Sequence, residues 1–132
     1  MNKLDKESII GISALLVHAA KIDEIYSEHE KDLIKNFIKS YLKEIDLNEI
    51  LKKAEEIENS SNQLLNYTNI IKKNSIEIKK DIIEHLWRVI ISDKTVDQYE
   101  SNLMRRICGL IYFPDKECAE IKLKLLNSIW PI

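Results

Sequence analysis

One helix-loop-helix pattern occurs twice in this chain, and a duplication of that kind allows few folds other than two related hairpins sharing a core. The first copy reads LLVHAAKIDEIYSEHEKDLI from Leu15, the second HLWRVIISDKTVDQYESNLM from His85. At an offset of seventy residues Asp23 falls on Asp93, Glu30 on Glu100, Leu16 on Leu86 and Leu33 on Leu103. Each copy runs from an apolar helical end into an aspartate, then through a short polar loop to a glutamate in the first turn of another helix. Two glycines and two prolines in 132 residues leave little material for tight turns, so the chain reads as all-α, a bundle of about seven helices with an internal pseudo-twofold repeat. Its length suits one compact domain over residues 1–132, with repeat units at about 6–40 and 76–110.

Apolar spacing and cap residues place the helices. The first spans Asp5 or Lys6 to Lys21, with Ile9, Ile12, Leu16 and Ala19 on one stripe. Gly11 lies inside it, which fits close approach of a neighbouring helix better than a break. Ser27 and Glu30 have the spacing of a capping box, opening a helix that turns Leu33, Phe37, Ile38, Tyr41 and Leu42 inward. Asp46 and Glu49 repeat the cap ahead of a third helix that buries Leu47, Ile50, Leu51, Ala54 and Ile57. Ser60 or Ser61 caps a fourth, carrying Leu64, Leu65, Ile70 and Ile71. The fifth, Ser75 to Ser92, is apolar around much of its circumference and is expected at the centre of the bundle. Asp97 and Glu100 repeat the cap of the sixth, whose inner face is Leu103, Ile107, Leu110 and Ile111. Pro114 restarts the chain into a seventh through Cys118, Ile121, Leu125 and Ile129, with Trp130 over one end and Pro131 as a stop.

The repeated acids admit two readings. An aspartate beyond a helix C-terminus is unfavourable unless donors or positive charge lie near it, and the N-terminus of the following helix offers both. On that reading Glu30 and Glu100 complete capping boxes and the motif is architectural. The other reading takes Asp23, Glu30, Asp93 and Glu100 as oxygen ligands of a divalent cation such as Ca²⁺ or Mg²⁺. The loops are not EF-hands. Counted from either aspartate, the glycine and twelfth-position glutamate of that loop are replaced by Glu28 or Gln98 and by Ile34 or Met104.

Given twice, an alanine-rich helical end followed by Asp, a short loop and Glu resembles the TerB-like family associated with tellurite resistance. The similarity runs from about Ser8 to Leu110 and is strongest in LLVHAAKIDEIYSEHEKDLI. The resemblance implies an all-helical domain with pseudo-twofold symmetry, an acidic metal site matched here by Asp23, Glu30, Asp93 and Glu100, and a link to stress-response systems. A related domain occurs in membrane-anchored J-domain co-chaperones. The family's usual glycine after the aspartate is replaced by Glu24 and Lys94, so neither loop has glycine's access to positive φ. Lys94 also puts a cation beside Asp93 that can compensate its charge without a metal, while Glu24 adds an oxygen donor in the first unit.

Other functional classes find less support. Lysines and acids alternate along the chain with a formal charge of −2, leaving no basic stripe for nucleic acid. No apolar run approaches the twenty residues of a membrane span. Cys108 and Cys118 without a secretory leader fit unpaired thiols in the cytoplasm. His18, His29 and His85 lack zinc-site spacing; His18 fits a hydrogen-bonded boundary position and His29 an exposed first turn. Glycine-rich phosphate loops, nucleophile elbows and HExxH helices are all missing from the sequence, so no enzyme is expected. What remains is a binding or adaptor module that engages a protein partner, with Tyr26, Tyr99 and Tyr112 as contact residues, or a homodimer.

Overall fold

In the computed structural model residues 4–22, 26–43, 46–60, 64–91 and 98–129 are described. Seven helices follow one another: α1 (Lys6–Ala20), α2 (Glu28–Tyr41), α3 (Leu47–Ser60), α4 (Leu64–Lys72), α5 (Ile76–Ile91), α6 (Gln98–Ile111) and α7 (Asp115–Ile129). The seventy-residue offset survives in the boundaries, since Lys6 maps to Ile76, Glu28 to Gln98 and Tyr41 to Ile111. Burial repeats with it. Leu16 and Leu86, Ile34 and Met104, Phe37 and Ile107, and Ile38 and Cys108 are all enclosed.

The caps explain where the helices start. Asp5 accepts the Ser8 N–H at 2.7 Å, and the Ser8 hydroxyl together with that N–H holds its carboxyl below the usual aspartate range. Asp46 accepts from the N–H groups of Asn48 and Glu49 at 3.0 and 3.3 Å, although Glu49 itself turns to Lys53, 3.2 Å away. Ser75 accepts from Ile78 N–H ahead of α5. Ser60 ends α3 instead of capping α4, its hydroxyl donating back to the Ile57 carbonyl. The expected roles of Ser61, Asp97, Trp130 and Pro131 fall on residues outside those described.

The centre of the molecule is α1, not α5. Eleven of the fifteen α1 residues are buried against eight of sixteen in α5, and α1 packs on α2, α3, α4 and α5. The reason is side-chain size. Gly11, Ser13, Ala14, Ala19 and Ala20 let neighbours close in from every side, whereas α5 exposes Lys80 and Arg88 along one flank. At Gly11 an added Cβ would lie 2.5 Å from Cδ1 of Ile70 on α4, so the glycine does serve close helix approach.

Two expected positions turn out differently. Ile57 and Leu65 are 38% and 54% exposed, because α3 rolls Glu58 inward in place of Ile57 and α4 buries Tyr67, Thr68 and Ile71. Leu110 packs partly buried against the core, as Leu47 does on α3, and Met104 and Cys108 complete the inner face of α6. The repeat is also unequal in its packing: α1 lies on α2, but α6 finds its main neighbour in α4 and α5 finds its in α7.

A Schellman turn ends α6. Tyr112 takes the left-handed conformation at φ 59°, Phe113 N–H donates to Cys108 carbonyl at 2.8 Å and Tyr112 N–H donates to Gly109. The Phe113 ring tucks into the core, and Lys72 Nζ sits 4.8 Å from the centre of the exposed Tyr112 ring. The turn reverses the chain so that the first turn of α7 returns against the last turns of α6.

Candidate functional site

Of the four repeated acids, Glu30 and Glu100 are described and Asp23 and Asp93 lie outside the described residues. Both glutamates are buried, at 5% and 2% exposure, in the first turns of α2 and α6. That is unusual for carboxylates, which are almost never enclosed without partners. For Glu30 the partners are plain. Its Oε1 accepts Ser27 N–H at 2.8 Å and the Ser27 hydroxyl at 3.1 Å, while Ser27 Oγ accepts Glu30 N–H at 3.2 Å. The capping box expected from the sequence is therefore formed on both sides. Ser27→Ala should cost about 0.5–2 kcal/mol, read as a lower urea midpoint at unchanged slope; an unchanged midpoint would mean the cap contributes nothing.

Oxygen donors of this type suit a hard cation, and Glu30 has one carboxylate oxygen already engaged by two bonds. Among the described residues no three His, Cys, Asp or Glu side chains gather as a metal-binding group.

Glu58 anchors a second polar cluster, which the repeated motif does not contain. Glu58 is 8% exposed near the end of α3, where Oε1 lies 2.8 Å from Lys21 Nζ and Oε2 lies 3.3 Å from His18 Nδ1. Lys21 Nζ also reaches Asn59 Oδ1. A lysine at the C-cap of α1 suits the negative end of that helix, and the cluster fastens α1 to α3. The signal was present in the spacing, because Glu58 stands four residues past Ala54 and eight past Ile50 on the same stripe. His18 thus occupies the hydrogen-bonded boundary position expected of it, and His29 is exposed. Tyr26 is less free than a contact residue should be: its hydroxyl donates to Glu55 Oε2 at 2.7 Å and its ring lies between Lys21 and Lys31. Tyr99 and Tyr112 are widely exposed.

A third group joins α2 to α5. Tyr41 donates to Asp81 Oδ2 at 2.5 Å, and burial together with that acceptor pushes its phenol pKa up. His85 Nε2 stands 3.7 Å from Asp81 Oδ1, and its ring meets Phe37 edge-on at 5.1 Å. Burial lowers the pKa of His85, with Arg88 acting the same way and Asp81 and Glu84 opposing. The fold therefore favours neutral His85, and the unfolded chain binds the extra proton first. Its contribution is present above the unfolded value of about 6.5 and is lost as pH falls through that value toward the folded one. Urea midpoints at pH 7.5 and pH 5.5 should show a fall that shrinks in His85→Gln; an equal fall in both chains would contradict this assignment.

A family model described as tellurite resistance protein TerB matches residues 10–123. The chain belongs to the TerB family. Comparison with curated proteins and with solved structures gives no match. The matched segment begins in α1 and ends in α7, so the TerB-family unit takes in all seven helices and both acidic corners. No helix among the described residues is long and apolar enough to cross a membrane.

Proposed function

We propose that this TerB-family chain is a non-enzymatic adaptor module of a tellurite-resistance-type system, working in the cytoplasm by engaging a protein partner. The observation that supports this reading is how the enclosed carboxylates are used. Glu30 closes a cap, Glu58 ties Lys21 and His18, and the half-buried Asp81 receives Tyr41 and faces His85. Groups held by fixed donors in this way serve rigidity, and a rigid helical scaffold presenting exposed Tyr99 and Tyr112 suits recognition. A second copy of the chain is the simplest partner, and gel filtration at rising concentration would show its mass double.

The burial of Glu30 and Glu100 at equivalent positions favours a second reading, in which Asp23, Glu30, Asp93 and Glu100 hold Ca²⁺ or Mg²⁺. The cation would take its charge balance from these four carboxylates and tie together the helix starts that carry Glu30 and Glu100. Thermal unfolding with and without each ion tests it: an ion at one hundred times its dissociation constant stabilises by about 2.7 kcal/mol, and Asp23→Asn or Asp93→Asn should abolish the gain. If neither ion raises the midpoint, the adaptor is metal-free and the acids are caps.

A further inference from the structure

We propose that Cys108 and Cys118 are a redox-active dithiol, in which Cys118 reacts with a hydroperoxide entering the groove between α6 and α7 and Cys108 resolves the product to a disulfide. The Schellman turn at Tyr112 brings the two residues together, for it reverses the chain directly after the end of α6 and sets Cys118 in the first turn of α7. Both cysteines are free and buried, Cys118 at 5% exposure and Cys108 at 0%, and their thiols hydrogen-bond, so the peroxide must reach sulfur through a cavity.

Their surroundings differ. Cys118 lines a cavity of about 460 Å³ with Trp87, Met104, Arg105, Asp115 and Lys122. The Trp87 indole N–H donates to Cys118 Sγ at 3.3 Å, an arrangement that stabilises charge on sulfur. Lys122 Nζ stands 5.3 Å from the same indole ring, and Lys122 and Arg105 line the cavity together with Asp115. A position near a helix N-terminus beside cations is where reactive thiols are found. The Cys108 thiol, the Trp87 N–H and Lys122 lower the Cys118 pKa against burial and Asp115. The Cys108 thiol, wholly enclosed, is pushed up by its hydrogen bond to Cys118 and by burial. Cys118, which lines the cavity and accepts the Trp87 N–H, is placed to meet the peroxide first, and the enclosed Cys108 beside it must give up its proton as it attacks the oxidised sulfur.

The chemistry balances in two steps. The Cys118 thiolate attacks one peroxide oxygen; the S–O bond forms as the O–O bond breaks, and the departing oxygen takes a proton to leave as an alcohol or water. Sulfur loses two electrons and the peroxide gains them. Cys108 then attacks Cys118 sulfur, the S–O bond breaks, and hydroxide leaves with the Cys108 proton as water. Two thiols and one hydroperoxide become one disulfide, one alcohol or water, and one water.

Hydrogen peroxide added in equimolar amount to the reduced full chain tests this. Expected are loss of both thiols together, a mass lower by two hydrogens, and a fall in tryptophan fluorescence from Trp87, all reversed by dithiothreitol. In Cys108→Ser the reaction should stop at sulfenic acid, trapped by dimedone on Cys118. In Cys118→Ser, Cys108 should react at least about tenfold more slowly. In the native chain the pH midpoint for alkylating Cys118 should lie below the free-cysteine value of about 8.5, and Trp87→Phe should raise it. The proposal is overturned if both native thiols survive peroxide, if dimedone marks Cys108 first, or if Cys118→Ser leaves the Cys108 rate unchanged. The measurements on the native chain decide the matter even if a variant fails to fold.

Discussion

Leu16→Ala and Leu86→Ala are each expected to lower stability by about 2–5 kcal/mol, and by amounts within about 1 kcal/mol of one another. The two leucines are the same residue at equivalent places in α1 and α5, and neither has any exposed surface. Alanine at either site removes three carbons from a region enclosed on all sides, and the loss has a transfer part and a cavity part. Only the cavity part depends on how far neighbours relax. Helix α1 has eleven of its fifteen residues buried against eight of sixteen in α5, so fewer of its neighbours are free to move into a cavity, and Leu16→Ala should be the costlier of the two. Urea denaturation of both variants gives the comparison. If one were nearly neutral, the shared burial of the repeat would have no energetic meaning.

Phe37→Ala is expected to cost about 3–5 kcal/mol, enough to consume a large share of the roughly 5–15 kcal/mol that a domain of this kind possesses. The ring is fully buried, tilted against Tyr41 at 5.2 Å and met edge-on by His85 at 5.1 Å. Its removal takes away core area and also an edge-on neighbour that helps to bury His85. The variant should therefore lose part of the acid sensitivity assigned to His85, because a hydrated imidazole titrates nearer its ordinary value. A stability loss below about 1 kcal/mol would show that the α2–α5 contact is loose.

Local physics was legible in the sequence and long-range packing was not. The Ser27 and Glu30 box needs only residues three apart, so spacing alone revealed it. The same holds for Asp46, yet Glu49 found Lys53 instead of completing the reciprocal bond. On α3, Ile57 and Glu58 compete for the inner stripe, and hydrophobicity favours the isoleucine. What decides for Glu58 is the pair of partners on α1, about forty residues away in sequence. Helix α4 has nine residues, too few turns to fix the phase of its inner face, hence the exchange of Leu65 for Tyr67. The expectation that α5 is central counted apolar residues and overlooked how small ones let helices approach. The meeting of Cys108 and Cys118 depends on a tyrosine in the left-handed region, which costs about 1–2 kcal/mol for an ordinary residue and has no signature in a sequence. As for the acidic corners, spacing pointed to both buried glutamates, while charge compensation around them is a property of the assembled chain.

Because α1 is covered by α3, α4 and α5 as well as by its own hairpin partner, neither hairpin possesses an interior of its own. The α1–α2 hairpin standing alone would turn Leu15, Leu16 and Val17 toward water, and the shelter it lacks comes from α3 and α4 between the two repeats as much as from α5.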